Sequence, residues 1–595
     1  MSKITRRDFF KAGAAAGMAA ALPSATGQVK PPATPAGGVE PDLVLVNGKI
    51  HTMDDKGSVV SSVAIRNGRF VAVGSAANPG PGARVINLHG RTVVPGLIES
   101  HTHYVSLANR PGYHVAQWEL ASNVAEVLAI LRARRDRGDV PEGQFITAMG
   151  AGTPNIWFER RMPTIGELDF AVPDRPVFLY QSGGGPARTN TMGKALLESF
   201  TAPLAGPVVV NADGTMTGAM SNRALYHLRI RQSFEDKKRS ALDSMAFSAQ
   251  VGVTTLLDQT LVAVATGTLD PASLDPLPTH ALFNLNHYRM YDAWLALHRE
   301  GRAFVRLQIN FLHNQGFISA LGGLENQLPE LKERLKNQFQ FFGDAMLRTG
   351  AIGEWAAPFV ASTSSNQDGF QVWLEAQRLC AQARWRNENS QAGSQGMPPN
   401  TANIEQVVST YEAMDAEFGI KELRWGLQHG DHATEDQLAR LRALNCGVST
   451  SGFRWTSGLR ADGLPVGPLF PRLVASGIPL ALHQDGVHIT AHNPWFALHY
   501  ATTGRNNILS AANPEGQLTN PGQQISRQQA LHLYTRGAAW YLNREHDLGS
   551  IEVGKLADLL VLDRDYFSVS DAEMRRTLPA LTVIDGRIVH DTGVV

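Results

Sequence analysis

The chain is poor in cysteine, with only Cys380 and Cys446 among its 595 residues. A disulfide framework needs several cysteine pairs, and neither residue stands in a Cys-x-x-Cys pattern. The sequence therefore excludes a disulfide-built scaffold. We expect both thiols to pack as small buried hydrophobic side chains.

An excess of charge of either sign is also lacking, because 54 lysines and arginines balance 54 aspartates and glutamates. Proteins that bind nucleic acid or anionic membranes carry clustered positive charge. A long apolar run near the start is missing too, since residues 12–22 give about half of what a membrane span needs. We expect neither a nucleic-acid partner nor a membrane span after processing.

The first forty residues have the composition of an export signal. Arg6-Arg7 and the aromatic pair Phe9-Phe10 precede a run of small residues. Paired arginines, a short weakly apolar stretch and a small-residue exit are typical of a twin-arginine signal. Residues 1–40 are thus predicted to be signal and linker, with the twin-arginine export machinery as a partner. The mature protein is expected in the periplasm or outside the cell.

Both ends of the remaining chain are rich in short β segments. Residues 41–94 contain apolar runs such as 43–46 and 70–73 between Gly-rich turns. Residues 546–595 show the same pattern of short apolar runs. The chain length suits one large domain with an accessory domain. We expect the two ends to assemble one small composite β-sandwich domain.

The middle of the chain, residues 95–545, alternates apolar strands with helical patterns such as 434–444, as stacked βα units do. Eight candidate strands predict an α/β fold that closes as a (β/α)₈ TIM-like barrel. The stretch from about 104 to 252 is too long for a loop and is expected to be an inserted subdomain. The candidate strands are 94–103, 253–258, 304–310, 351–354, 385–391, 423–429, 447–450 and 478–485.

The first of these strands ends in His101-Thr102-His103. Side chains at positions i and i+2 of a strand point to the same face, so both imidazoles face one way. At the carboxyl end of a barrel strand, such a pair is half of a divalent metal site. The alternative is an edge strand with two incidental surface histidines, which the flanking sequence disfavours.

Several motifs together resemble the amidohydrolase superfamily, and within it the large YtcJ-type metal-dependent hydrolases. The resemblance covers essentially everything after the signal, and its first and last motifs together are highly specific. The matching segments are 47–50, 95–103, 252–255, the strands that carry His429 and Asp485, and 548–558.

The resemblance implies a site at the carboxyl ends of the barrel strands. His101 and His103 match the metal-binding pair of the first strand, and His429 matches a sixth-strand histidine that binds metal or faces the substrate. Asp485 matches an eighth-strand aspartate that holds the metal and moves the proton of the attacking water. The implied cofactor is a divalent metal ion, expected to be one zinc ion per chain. Such an ion lowers the pKa of water to roughly 7.

Two departures from the family pattern reduce the predicted metal site. The fifth strand carries no histidine, and Asn389 or Ser390 stands where it would fall. The fourth strand has no lysine that could be carboxylated, which leaves Glu354 as its only anionic candidate. We therefore expect one metal ion rather than two. Glu354 is either a carboxylate of the metal site or a residue in the first turn of a helix.

Other residues near the predicted strand ends admit both a functional and a structural interpretation. Glu388 is either a substitute ligand or a loop charge. His483 and His488 flank Asp485, and each either orients it, contacts substrate or has a structural role. Asp258 is expected to make hydrogen bonds at the barrel mouth. The remaining candidates line a pocket or pack loops: Trp355, Trp425, Arg454, Trp455 and Trp495.

The expected function is hydrolysis of a non-peptide carbon–nitrogen bond in a small amide, carbamate or cyclic amide. Asp485 and His429 are the predicted catalytic residues, because Asp485 moves the proton and His429 polarises the carbonyl. Two alternatives stay open: deamination of a heterocycle at the same site, and a non-catalytic binding protein on the same scaffold. The sequence also leaves a homo-oligomer open.

Overall fold

The computed structural model describes most of the chain after the predicted signal and linker, which lie outside the described residues. It describes residues 42–77, 82–105, 110–150, 156–181, 186–201, 206–259, 289–313, 328–357, 367–390, 401–486, 489–510 and 512–594. Within these ranges, no helix is both long and apolar enough to cross a membrane.

The described chain begins with short strands whose apolar side chains are buried at positions such as Val44, Ile65 and Val93. Between the first two strands, Asn47 adopts a φ of 55° and is followed by Gly48. Asparagine tolerates this left-handed backbone better than most residues, which explains the Asn-Gly turn. The strands are β1 (Leu43–Val46), β2 (Lys49–His51), β3 (Val59–Val60), β4 (Val63–Arg66), β5 (Arg69–Val73), β6 (Arg84–Asn87) and β7 (Thr92–Pro95).

The strand β8 (Leu97–Thr102) follows and is buried along its whole length. The segment after it folds into a separate sheet with helices. Its elements are β9 (Tyr113–His114), α1 (Val124–Asp136), β10 (Ile146–Gly150), α2 (Ile165–Ala171), β11 (Val177–Gln181), β12 (Ala187–Thr189), α3 (Thr191–Glu198), β13 (Thr215–Met216), α4 (Ala219–Arg229) and α5 (Phe234–Val251). The strands pair in the order β13-β12-β11-β10-β9.

Strands and helices then alternate as the sequence predicts. The elements are β14 (Val253–Gln259), α6 (Asp292–Arg299), β15 (Arg306–Phe311), α7 (Pro329–Arg334), β16 (Leu347–Ile352), α8 (Gln367–Gln382), β17 (Glu388–Asn389), α9 (Thr401–Phe418), β18 (Gly426–Gln428), α10 (Glu435–Ala443), β19 (Gly447–Ser451), α11 (Phe470–Ala475), β20 (Leu480–His483), α12 (Pro494–Thr503), α13 (Arg527–Tyr534) and α14 (Arg536–Tyr541). Thr434 caps α10 with a reciprocal bond to Gln437, which fixes where that helix begins.

The strands predicted for the middle of the chain form two parallel sheets, β16-β15-β14-β8 and β17-β18-β19-β20. A parallel bridge between Ile352 and Asn387 joins the first sheet to the second. At the opposite edges, the backbone N–H of His103 donates to the carbonyl of Gly486 at 2.8 Å. The strands are buried almost throughout, as parallel strands covered on both faces are.

The two ends of the chain share one sheet. The last elements are β21 (Leu559–Leu562), α15 (Asp571–Met574), β22 (Pro579–Ile584) and β23 (Arg587–Asp591). The order β23-β22-β21-β7-β2-β3 places β7 against β21, with Val94 opposite Leu560. The other terminal sheet has the order β5-β4-β1-β6. One buried apolar cluster contains side chains of both sheets, among them Leu45, Val93 and Val561.

A buried ion pair joins the terminal sheets to the parallel strands. Arg306 in β15 donates from Nε and Nη2 to the two carboxylate oxygens of Asp558, at 2.8 and 2.9 Å. Its Nη2 also lies 3.1 Å from Asp585 Oδ1. The exposed fractions of the Arg306 and Asp558 side chains are 0% and 4%. The aspartate that closes the 548–558 motif is therefore a structural anchor.

Gly96, the residue before β8, packs against Thr254 of β14. A Cβ atom at this position would lie 2.6 Å from Thr254 Cγ2 and 2.9 Å from Thr254 Cβ. The Gly96→Ala substitution is therefore expected to lower the free energy of unfolding by about 1–3 kcal/mol, the usual cost of overpacking. Urea denaturation measures this loss. Gly166→Ala is the control, because a Cβ atom there meets nothing within 4 Å and alanine favours the helix.

Candidate metal centre

The predicted site residues come from four strand ends of the two parallel sheets. His101 lies in β8, and His103 follows the last residue of that strand. Glu354 and Asp485 each stand two residues beyond their strands, β16 and β20, and His429 comes directly after β18. Because the carboxyl ends of parallel strands meet at one edge, the chain brings all five side chains together.

The nitrogen and oxygen atoms of these side chains converge on one point. His103 Nε2 lies 3.3 Å from both Glu354 Oε1 and Asp485 Oδ1. His101 Nε2 lies 3.5 Å from Asp485 Oδ1 and 3.7 Å from Glu354 Oε1. His429 Nε2 is 3.5 Å from Glu354 Oε2 and 3.8 Å from Asp485 Oδ2. Two ligands bound tetrahedrally to one zinc ion are about 3.4 Å apart, so these spacings suit a shared divalent ion.

Several of the converging atoms are buried without a hydrogen-bond partner among the described residues. They are the Nε2 atoms of His101 and His429 and the Oδ1 atom of Asp485. A buried polar atom that lacks a partner costs about 1–3 kcal/mol. A divalent cation would satisfy all three atoms at once. The donor set of imidazoles and carboxylates therefore fits such an ion.

Hydrogen bonds at the far side of each ring orient the imidazoles. His101 Nδ1 lies 2.8 Å from Gln428 Oε1, and His429 Nδ1 lies 2.9 Å from Ser451 Oγ. His103 Nδ1 contacts the backbone carbonyl of Gln259. A ring that donates from Nδ1 presents its Nε2 lone pair to a metal. The sequence interpretation missed Gln259, Gln428 and Ser451, although each is the last residue of its strand.

The negative charges of Glu354 and Asp485 favour positive charge at this centre. Burial lowers the pKa of His101, but the charges of Glu354 and Asp485 outweigh it and raise that pKa. In turn, burial would raise the pKa of Asp485, and the charges of His101 and His103 hold it well below its usual range. Burial is likewise outweighed at Glu354, whose pKa is lowered by the histidines around it. A bound cation would neutralise the two carboxylates in the same way.

His429 and Asp485 both adopt a φ of 55°. A positive φ is unusual for residues other than glycine, and such conformations occur often at functional sites. Each residue directly follows, or nearly follows, a parallel strand, so the turn aims its side chain across the strand ends. This backbone feature could not be read from the sequence.

His483, one of the two histidines that flank Asp485, also lies in the cluster. Its ring stacks on that of His101 with centroids 4.6 Å apart, and its centroid lies 4.9 Å from that of His429. Its Nδ1 lies 2.7 Å from Ser449 Oγ. His488, the other flanking histidine, lies outside the described residues.

The fifth-strand residues bond to side chains outside the five-residue cluster. Glu388 lies in β17 and is fully buried, so its interpretation as a loop charge is wrong. Its Oε2 accepts from Asn310 at 2.7 Å, and its Oε1 lies 3.0 Å from Arg386 Nε. Burial raises the pKa of Glu388 to about 7 despite the charge of Arg386. Asn389 Oδ1 accepts from the indole of Trp373 at 3.2 Å.

Asp258 makes the hydrogen bonds expected at the strand ends. It accepts from the backbone N–H of Val105 at 2.9 Å and from the hydroxyl of Tyr291 at 2.5 Å. On the fourth strand, Arg348 donates from Nε to Gln308 at 2.8 Å and from Nη2 to the Leu542 carbonyl at 2.6 Å. Both side chains thus serve the packing of strand ends and helices.

The aromatic candidates divide between packing and a pocket wall. Trp425 and Trp495 donate their indole N–H groups to backbone carbonyls, of Trp385 and Val251. Trp455 lines a cavity of about 320 Å³ together with Phe496. Its indole donates to Gln484 Oε1 at 3.1 Å, next to Asp485 in the chain. A cavity of this size suits a small molecule.

Two family models match the chain. The model of the amidohydrolase family matches residues 84–590. The model of the twin-arginine translocation pathway signal sequence matches residues 3–23. The predicted export by the twin-arginine pathway, to the periplasm or out of the cell, is thus confirmed.

Curated relatives match over nearly the whole chain. Protein LONG AFTER FAR-RED 3 of Arabidopsis thaliana is 25% identical and covers 94% of this chain and 93% of its own. N-substituted formamide deformylase of Arthrobacter pascens is 24% identical and covers 92% and 98%. Putative amidohydrolase YtcJ of Bacillus subtilis (strain 168) is 22% identical and covers 91% and 98%.

A solved structure has the same fold. An uncharacterized metal-dependent hydrolase from Pyrococcus horikoshii OT3 superimposes with a TM-score of 0.55 at 17% sequence identity. The match covers 89% of this chain and 99% of that one. The sequence resemblance and the architecture therefore agree.

Proposed function

Because the chain belongs to the amidohydrolase family, we propose that it is a metal-dependent hydrolase that cleaves a non-peptide carbon–nitrogen bond. The substrate class is a small amide, carbamate or cyclic amide. The observation that carries the proposal is the buried cluster of His101, His103, Glu354, His429 and Asp485, whose donor atoms lie 3.3–3.8 Å apart. A relative named N-substituted formamide deformylase supports an amide-like substrate.

The fold is proposed to be one closed (β/α)₈ barrel with a composite β-sandwich. The bridge between Ile352 and Asn387 and the bond from His103 to Gly486 support closure, because they join the two parallel sheets at both pairs of edges. In this arrangement residues 95–545 are the barrel with its insertion at about 104–252. Residues 41–94 and 546–595 are the two parts of the sandwich.

The chemistry divides between the ion and the side chains around it. A divalent ion supplies Lewis acidity and lowers the pKa of water that it binds. Asp485 accepts the proton of the attacking water and delivers it to the leaving nitrogen. His429 binds the ion or polarises the carbonyl oxygen, and its Nε2 lies 3.8 Å from Asp485 Oδ2. His101, His103, Asp485 and Glu354 would hold the ion.

Metal content tests the proposal. The purified mature protein, reconstituted with zinc, is expected to hold about one equivalent per chain by inductively coupled plasma mass spectrometry. A chelator should abolish hydrolysis of an amide panel, and added zinc should restore it.

Two outcomes would contradict this function. A metal content well below one equivalent after reconstitution favours the alternative of a non-catalytic binding protein. Ammonia release from nitrogen heterocycles, with no hydrolysis of amides, favours the alternative of a deaminase at the same site.

A further inference from the structure

The cluster contains one imidazole that the family-based assignment does not use. The ring nitrogens of His101, His429 and His483 lie within 4.8 Å of one another. Two nitrogens bound tetrahedrally to one zinc ion are about 3.4 Å apart at ordinary bond lengths. A shift of the His483 ring toward the centre of the cluster would bring its Nε2 within reach of an ion that His101 also binds.

One arrangement of hydrogen bonds around His483 places its proton on Nδ1. Ser100 Oγ donates to the carbonyl of Leu482 at 3.4 Å, because a carbonyl oxygen only accepts. In that arrangement Ser449 Oγ, 3.2 Å from Ser100 Oγ, donates its one proton to Ser100. His483 Nδ1, 2.7 Å from Ser449 Oγ, is left as the donor in that pair. The proton on Nδ1 leaves Nε2 with a lone pair, which is the form that binds metal.

Among the described residues, no group forms a hydrogen bond with Nε2 of His483, which is buried. The side chain is fully buried beside the rings of His101, His429 and Phe453. An unpaired acceptor in such a place is costly unless a cation takes it. The Nε2 atoms of His101 and His429 likewise have no hydrogen-bond partner among the described residues.

We propose that His483 is a further metal-ligating residue, which replaces the histidine that the fifth strand lacks. The proposal rests on the proposed function, since it needs an ion in the centre. With His483 on the ion beside His101, His429 is released to face the substrate carbonyl. The eighth strand then supplies both a ligand, His483, and the proton-transferring carboxylate, Asp485.

Metal affinity of two variants tests this ligand role. In the full mature protein, His483→Gln is expected to weaken zinc affinity at least about 100-fold, measured by competition with a chromophoric chelator, because losing a ligand exceeds the effect of losing an outer hydrogen bond. The matched control is His499→Gln, which removes a histidine 2% exposed in α12. It should bind zinc as the wild type does.

A second variant keeps the imidazole. Ser449→Ala removes only the group that orients His483, and it is expected to weaken zinc affinity about tenfold. If His483→Gln does not fold, Ser449→Ala tests the ligand role alone. A tenfold loss of zinc affinity in Ser449→Ala supports the role, and unchanged zinc affinity overturns it.

The outcomes separate this proposal from the function. A wild-type protein that binds no zinc overturns the proposed function, and the ligand role with it. A wild-type protein that binds one zinc ion, together with a His483→Gln variant of equal affinity, overturns the ligand role alone. Cobalt substitution gives a second readout, since loss of a nitrogen ligand shifts the visible absorption of the wild-type complex.

Discussion

Replacing Asp485 by asparagine is expected to lower kcat by about 10²–10⁴-fold, the usual contribution of a positioned acid–base group. The amide keeps the shape of the side chain but cannot accept the proton of the attacking water. Asp485 is 2% exposed and faces three imidazoles, so no neighbouring carboxylate except Glu354 is placed in the described cluster to replace it. Steady-state kinetics on the best amide substrate measures the loss.

Asp258→Asn is the matched control for this experiment. Asp258 is also a fully buried carboxylate at a strand end, but it bonds to Val105 and Tyr291 rather than to the cluster. Its replacement should leave kcat within a few-fold of wild type and lower stability by about 1–3 kcal/mol. Retained turnover in Asp485→Asn, with zinc bound and the melting temperature unchanged, would show that another group moves the proton.

Asp558→Ala is expected to lower the free energy of unfolding by about 3–5 kcal/mol, because it leaves the guanidinium of Arg306 buried without its main partner. The pair is bidentate and almost completely buried, and Asp558 Oδ1 also accepts from the backbone of Asp585 at 2.9 Å. Chemical denaturation measures the loss. The surface carboxylate Glu333, 71% exposed in its pair with Lys336, is the control, and Glu333→Ala should cost below about 1 kcal/mol.

A double variant separates the buried charge from the lost contact. Arg306→Met with Asp558→Leu removes both charges and should recover much of the stability that Asp558→Ala loses. A double variant no more stable than Asp558→Ala would mean that packing, not charge, governs this junction.

The parallel strands of the middle of the chain were predictable because buried strands consist mainly of apolar residues. Parallel strands covered on both faces read as continuous apolar runs, and β14, β15 and β20 lie within or close to the predicted ranges. The fifth strand was predicted over 385–391 but spans only Glu388–Asn389. Polar residues there form buried hydrogen bonds across the sheet, which a hydrophobic pattern does not encode.

The site was predictable only in part. The spacing of His101 and His103 on one strand predicts a shared face from geometry alone. His429 and Asp485 came from the family resemblance, and their assignment as metal and catalytic residues stays a prediction. The roles of Gln259, Gln428 and Ser449 depend on partners far away in the chain, so local sequence carries no sign of them.

The strands of the shared sheet come from opposite ends of the chain, so they are synthesised at different times. β7 lies between β2, made early in synthesis, and β21, made after residue 558. The sheet therefore cannot close until the ribosome has finished nearly the whole chain. A nascent or truncated chain exposes the apolar edge of β7, whereas the twin-arginine signal directs a folded protein to export. The sheet shared by the two ends is therefore complete only after nearly the whole chain has been synthesised.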